Sequence, residues 1–170
     1  LVYCWGDNNS AQLGTGDKQQ RLSPTLVLGS EGVVQVAAGG QHTCWLTRDG
    51  VVACFGSNAL GQLGQPTPAE QPSPAIVALP GRAVELDAAY GHSCAILESR
   101  ALYCWGENVE TQLGQGDAPD ENRAEPVQVP LPEDALGVAC GQGHTLAFTA
   151  NGVYAWGRNT ASECGQGEGK

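Results

Sequence analysis

One pattern governs this chain: it repeats itself every 50 residues. Four aromatic elements lie in register: Tyr3-Cys4-Trp5-Gly6-Asp7-Asn8, Ala53-Cys54-Phe55-Gly56-Ser57-Asn58, Tyr103-Cys104-Trp105-Gly106-Glu107-Asn108 and Tyr154-Ala155-Trp156-Gly157-Arg158-Asn159. The aromatic falls at 5, 55, 105 and 156, in steps of 50, 50 and 51. A second element follows each Asn: Gln12-Leu13-Gly14, Gln62-Leu63-Gly64, Gln112-Leu113-Gly114, and a decayed Glu163-Cys164-Gly165. A third precedes the next aromatic: Gln41-His42-Thr43-Cys44, Gly91-His92-Ser93-Cys94 and Gly143-His144-Thr145-Leu146. Fixed-period self-similarity on this scale is the signature of stacked structural units.

Within a unit the chain reads as strand and turn. Val33-Val34-Gln35-Val36-Ala37 is short and β-branched. Cys44-Trp45-Leu46-Thr47 and Val51-Val52-Ala53-Cys54-Phe55 flank Arg48-Asp49-Gly50, a hairpin whose Gly supplies a positive φ. Asn151-Gly152 serves the last unit in the same way. No window carries sustained helical periodicity. About four short strands per 50-residue unit predict an all-β propeller, one blade per unit. The repeat phases start near 3, 53, 103 and 154, and residues 1–170 read as a single partial β-propeller domain.

These elements resemble the regulator of chromosome condensation repeat family, in its bacterial cysteine-bearing form with Cys-Trp-Gly and His-Thr-Cys. The resemblance spans essentially the whole chain and implies a seven-bladed β-propeller. At 50 residues per unit, 170 residues hold 3.4 units, about half a ring. Leu1 to Gly6 has the phase of a strand that closes a last blade. The preferred reading is a fragment of a longer ring; the other is a homodimer completing one ring. The chain contains no Met, and is read as processed or trimmed.

The seven Cys fall into a pattern. Cys44 and Cys54 sit symmetrically about one hairpin centre, and Cys94 and Cys104 about the next. Opposed residues of an antiparallel pair bring their Cβ atoms within disulfide range, so Cys44–Cys54 and Cys94–Cys104 bridges are expected. The fourth unit has Leu146 and Ala155 in their place. Its hairpin is one residue shorter, which is expected to shift the register and spoil such a pairing. Cys4 lacks a partner. Cys140 replaces Ala38 and Ala88, and Cys164 replaces Leu13, Leu63 and Leu113. Both read as core thiols, with a Cys140–Cys164 bridge as the alternative. Paired Cys point to an oxidising compartment, extracellular or periplasmic.

Charge removes several functions. Eight Lys and Arg against 18 Asp and Glu give a formal net charge of −10, the wrong sign for phosphate backbones or anionic membranes. No apolar run reaches the roughly 20 residues of a membrane span. No catalytic constellation is evident, and neither a metal nor a cofactor is expected. All three His follow the repeat and read as structural. Asn8, Asn58, Asn108 and Asn159 read as turn caps; a calcium site at Asp7, Asn8, Asn9 and Asp17 and glycosylation at Asn8-Asn9-Ser10 are the minor alternatives. The acidic stretch Asp117 to Glu125 reads as a solvated loop, or as a contact for a basic partner.

Function is then expected where repeats differ. Asn9-Ser10-Ala11, Ala59-Leu60-Gly61 and Val109-Glu110-Thr111 vary, as do Gly40-Gln41, Tyr90-Gly91 and Gln142-Gly143. The resemblance implies that both turns face a ligand. Leu60, Tyr90, Val109 and Glu110 are the candidate partner contacts. Trp45, whose equivalents are Ala95 and Ala147, is either a surface anchor or a packing change. The expected function is a non-catalytic protein–protein interaction module of a secreted or periplasmic protein. The alternative is a macromolecular regulator or inhibitor of an enzyme, since relatives in the family include a guanine-nucleotide exchange factor and a β-lactamase inhibitor.

Overall fold

A computed structural model of the chain describes residues 1–66, 68–116 and 121–165. The described residues form thirteen strands and no helix. The strands are β1 (Tyr3–Gly6), β2 (Arg21–Leu26), β3 (Val33–Ala38), β4 (His42–Thr47), β5 (Val52–Ser57), β6 (Glu70–Ile76) and β7 (Ala83–Ala88). They continue as β8 (His92–Leu97), β9 (Leu102–Gly106), β10 (Arg123–Gln128), β11 (Gly137–Cys140), β12 (His144–Phe148) and β13 (Val153–Gly157).

All pairing is antiparallel between sequence neighbours. Two complete four-stranded blades, β3-β4-β5-β6 and β7-β8-β9-β10, stand between a two-stranded sheet, β1-β2, and a three-stranded one, β11-β12-β13. By repeat position, β1 and β2 are the outer pair of a blade, and β11 to β13 the inner three. The inner strands lie side by side, β3 against β7 and β7 against β11. This is an arc of a β-propeller, as the repeat implies.

The apolar cores lie between blades. Leu46, Val52, Leu63 and Val77 of the first complete blade meet Ala83, Leu86, Leu97 and Trp105 of the second. Ile96, Leu102 and Leu113 meet Ala135, Ala147 and the half-buried Trp156 one blade on. Val2 and Val27 meet Trp45 and Phe55 at the first junction. The Gly of each Gln-Leu-Gly is a seat for the next blade's ring. At Gly64, φ is +70°, and an added Cβ would stand 2.7 Å from Val77 and 3.1 Å from the Trp105 indole nitrogen. Any other residue there combines backbone strain with a clash.

Polar bonds tie the same junctions. His42 Nε2 lies 2.8 Å from Ser93 Oγ in the following blade, and Ser93 Oγ donates to the Gln62 carbonyl at 3.2 Å. That carbonyl also accepts from the Trp105 indole at 2.9 Å. One blade on, His92 Nε2 meets Thr145 Oγ1 at 2.9 Å, while Thr145 Oγ1 and the Trp156 indole both donate to the Gln112 carbonyl. Burial, with each ring facing the next His, lowers the pKa of His42 and His92 to about 4. Along the inner strands, Gln35 exchanges two bonds with the backbone of Leu86, and Glu85 and Asp87 accept from the Val138 and Cys140 amides.

The structure joins Cys44 to Cys54 and Cys94 to Cys104, each pair with Cα atoms 4.1 Å apart. Two expectations about the remaining thiols and their hairpin are corrected. Cys140 and Cys164 are not bridged: both thiols are free, and Cys164 donates to the Arg158 carbonyl in its own loop. The shorter hairpin does not shift its register either, because Leu146 still stands opposite Ala155. The lost residue is absorbed in the turn, where Thr149 N donates to the Gly152 carbonyl.

Candidate partner-binding face

The variable loops hang on a fixed frame. In each unit the Asn carboxamide oxygen accepts the amide five residues on: Asn8 from Leu13, Asn58 from Leu63, Asn108 from Leu113, each at 3.0 Å. The Gln side chain reaches back in turn, so Gln12, Gln62 and Gln112 accept the amides of Ser10, Leu60 and Glu110, each at 2.9 Å. The loop backbone is therefore set by Asn and Gln, whatever stands between them. Side chains at 9–11, 59–61 and 109–111 are free to differ, and a loop pre-ordered in this way loses little entropy on binding.

This frame also disposes of two alternatives. Asn8 is fully buried and its Nδ2 donates to the carbonyls of Asp17 and Gln19, so it is no glycan acceptor. Asp7 accepts from Asn9 and Gln12, and Asp17 pairs with Arg21 at 2.7 Å, so the oxygen-rich loop is internally committed. The Arg21 guanidinium holds the Asp17 carboxyl below its ordinary range.

The two variable turns meet across blade junctions. Leu60 Cδ1 would stand 2.9 Å from a Cβ added at Gly91, beside Tyr90. Glu110 Cγ likewise lies 3.5 Å from the Gly143 position. Tyr90 itself packs over Gly40, whose amide donates to the Tyr90 carbonyl at 3.1 Å. Leu60 is half-buried by this arrangement, whereas Tyr90 is 57% exposed, Val109 is 56% exposed and Glu110 is exposed. Leu60 thus lies against the Tyr90-Gly91 turn at one junction and Glu110 against the Gly143 turn at the next, with Val109 exposed beside Glu110.

Trp45 is not on this face. It is 3% exposed and meets Phe55 edge to face, ring centroids 5.5 Å apart, inside the first junction. As a partner contact it is corrected to a core residue. Phe55 is smaller than the Trp at its sibling positions, and Trp45 fills the space where siblings carry Ala.

Glu107 sits inside the repeat element, between a fixed Gly and a fixed Asn, where repetition masks it. Its position nevertheless varies, as Asp7, Ser57, Glu107 and Arg158. The structure sets Glu107 against Gly91, and burial together with the nearby Glu110 carboxylate raises its pKa. The face is acidic there. Of the acidic stretch, Asp117 and Asp120 lie outside the described residues; Glu121 pairs with Arg123 at 3.4 Å.

The chain is 36% identical over 172 aligned positions to the ultraviolet-B receptor UVR8 of Arabidopsis thaliana, covering 98% of this chain and 39% of that one. It is 46% identical over 54 residues to the probable E3 ubiquitin-protein ligase HERC4 of Mus musculus, 30% of this chain and 5% of the relative. The crystal structure of Prp20p from Saccharomyces cerevisiae, described with its binding to Gsp1p and histones, superposes with a TM-score of 0.85 at 26% identity, over 96% of this chain and 42% of that one. The chain spans less than half the length of each. The model of the regulator of chromosome condensation (RCC1) repeat matches residues 1–46, 49–96 and 101–148, and the chain belongs to that family.

Proposed function

We propose that residues 1–170 form one partial propeller domain that acts as a non-catalytic protein-binding module of a secreted or periplasmic protein. The carrying observation is the exposure of Tyr90 and Val109 on a face whose loop backbones are fixed by Asn and Gln bonds. Aromatic and apolar anchors on a rigid frame are the usual centres of protein interfaces. Glu107 and Glu110 beside them favour a partner with a basic contact patch. Relatives of this family are protein binders: Prp20p is described with Gsp1p and histones. Two disulfides are compatible with an extracellular environment.

The test is comparative capture. The unmodified chain, the triple variant Tyr90→Ala, Val109→Ala, Glu110→Lys, and the control Asp49→Ala in a β4–β5 turn are immobilised in parallel. A partner held by the first and third but released by the second is expected. Equal retention on all three would exclude this face.

A further inference from the structure

A third cysteine stands at the second disulfide. Cys140 ends β11, in the blade that follows the Cys94–Cys104 pair. A ring nitrogen of His92, the Cys94 sulfur and the Cys140 sulfur lie within 4.8 Å of one another. Cys104 is bonded to Cys94, so a third sulfur stands one bond away from this group of three donors. His92 is fully buried; its Nε2 meets Thr145 Oγ1 at 2.9 Å, and its Nδ1 has no hydrogen-bond partner. The ring therefore has one nitrogen uncommitted.

The preceding junction provides a contrast within the molecule. His42, Cys44 and Cys54 repeat the arrangement, but Ala88 stands where Cys140 does. Among the described residues, a group of three donors within 4.8 Å of one another forms only where Cys140 is present. A tetrahedral zinc site, with Zn–S near 2.3 Å and Zn–N near 2.0–2.1 Å, holds its donors roughly 3.5–3.8 Å apart. Three cysteines and one histidine are also a standard closed set for structural zinc.

We propose that the reduced chain binds zinc through His92, Cys94, Cys104 and Cys140. In the structure two donors are joined as a disulfide and the site is empty. An external dithiol would open it: the dithiol is oxidised to its own disulfide, and Cys94 and Cys104 each gain a hydrogen. Zinc then displaces the three thiol protons to solvent and takes three thiolates and one neutral imidazole. The same four residues thus have two closed forms. The disulfide staples β8 to β9 within a blade; the metal would staple that blade to the next.

The test uses the whole chain, treated with dithiol, desalted without oxygen and titrated with zinc or with cobalt as its coloured substitute. The expected result is about one cation per chain, with sulfur-to-cobalt charge-transfer absorption. The unreduced chain should bind none. Cys140→Ala, which installs the residue already tolerated at Ala38 and Ala88, should weaken binding by at least about a hundredfold, beyond the loss expected from outer-shell changes alone. The pair Cys44→Ala, Cys54→Ala should leave it unchanged. Failure of the reduced chain to bind, or equal affinity in Cys140→Ala, overturns the proposal. So does a reduced chain that has lost its circular dichroism and does not recover it with zinc.

Discussion

The first and second blade junctions solve one problem differently. At the second, Trp105 of the incoming blade fills the seat over Gly64 and donates its indole to the Gln62 carbonyl. At the first, Phe55 fills the seat over Gly14, and a phenyl ring has no donor to offer Gln12. Thr43 Oγ1 serves that carbonyl at 2.8 Å, and Trp45 restores the missing aromatic volume from the neighbouring strand. The comparison teaches that the hydroxyl-to-carbonyl bond and the filled space recur at every junction, whereas the indole bond is dispensable when another ring supplies the volume. A bulky side chain where siblings are small is then a sign of compensation.

The sharpest way to break that reading is Trp45→Ala. It recreates the small residue of Ala95 and Ala147, but beside a Phe in place of a Trp. We expect a loss of about 3–5 kcal/mol in urea unfolding, the cost of emptying a large aromatic site. A loss under 1 kcal/mol would show that Phe55 alone fills the junction. Adding Phe55→Trp should recover part of the loss, since the pair then matches the second junction.

Acid should loosen both junctions that a buried His latches. His42 and His92 titrate near 4 in the folded chain against 6.5 in the open chain, because burial disfavours the charged ring. Between those values the unfolded chain binds more protons. Their stabilisation is therefore complete above about pH 6.5 and is lost as pH falls towards 4, by a few kcal/mol. Hydrogen exchange at pH 4.5 should show β4 and β8 loosening relative to neutral pH. A flat stability profile across that range would contradict the burial of both rings.

A smaller effect tests the polar latch. Thr145→Val keeps the shape but removes the hydroxyl that serves His92 and the Gln112 carbonyl. The cost should be about 1–3 kcal/mol, as for a buried polar group left unpaired. Smallest is Tyr90→Ala, expected to change stability by under about 0.5 kcal/mol. A larger loss there would mean that Tyr90 serves packing over Gly40 rather than a partner.

The propeller was legible because its long-range contacts recur at the repeat spacing: a bond such as His42 to Ser93 is written twice in the chain. The disulfides were legible for the same reason, since opposed positions about a hairpin follow from spacing. What repetition does not write was lost. Nothing in the order of residues says that Trp45 turns into the junction, that Leu60 lies under Gly91, or that Cys140 reaches back to the preceding blade. The register of the last hairpin was misjudged because a turn can shed a residue without moving its strands. On the candidate face, variation located the loops, but exposure separated Tyr90 and Val109 from the half-buried Leu60, and Glu107 hid inside a repeat element.

The forward direction of the junction bonds has a consequence for synthesis. The Gln62 carbonyl receives its indole from Trp105, 43 residues later, and the Gln112 carbonyl from Trp156, 44 residues later. At roughly 5–20 residues per second, each acceptor waits on the order of 2–9 s for its donor to be translated. A nascent blade is thus finished by its successor. Pulling tension on chains arrested at increasing length should rise in steps, one for each aromatic that clears the exit tunnel.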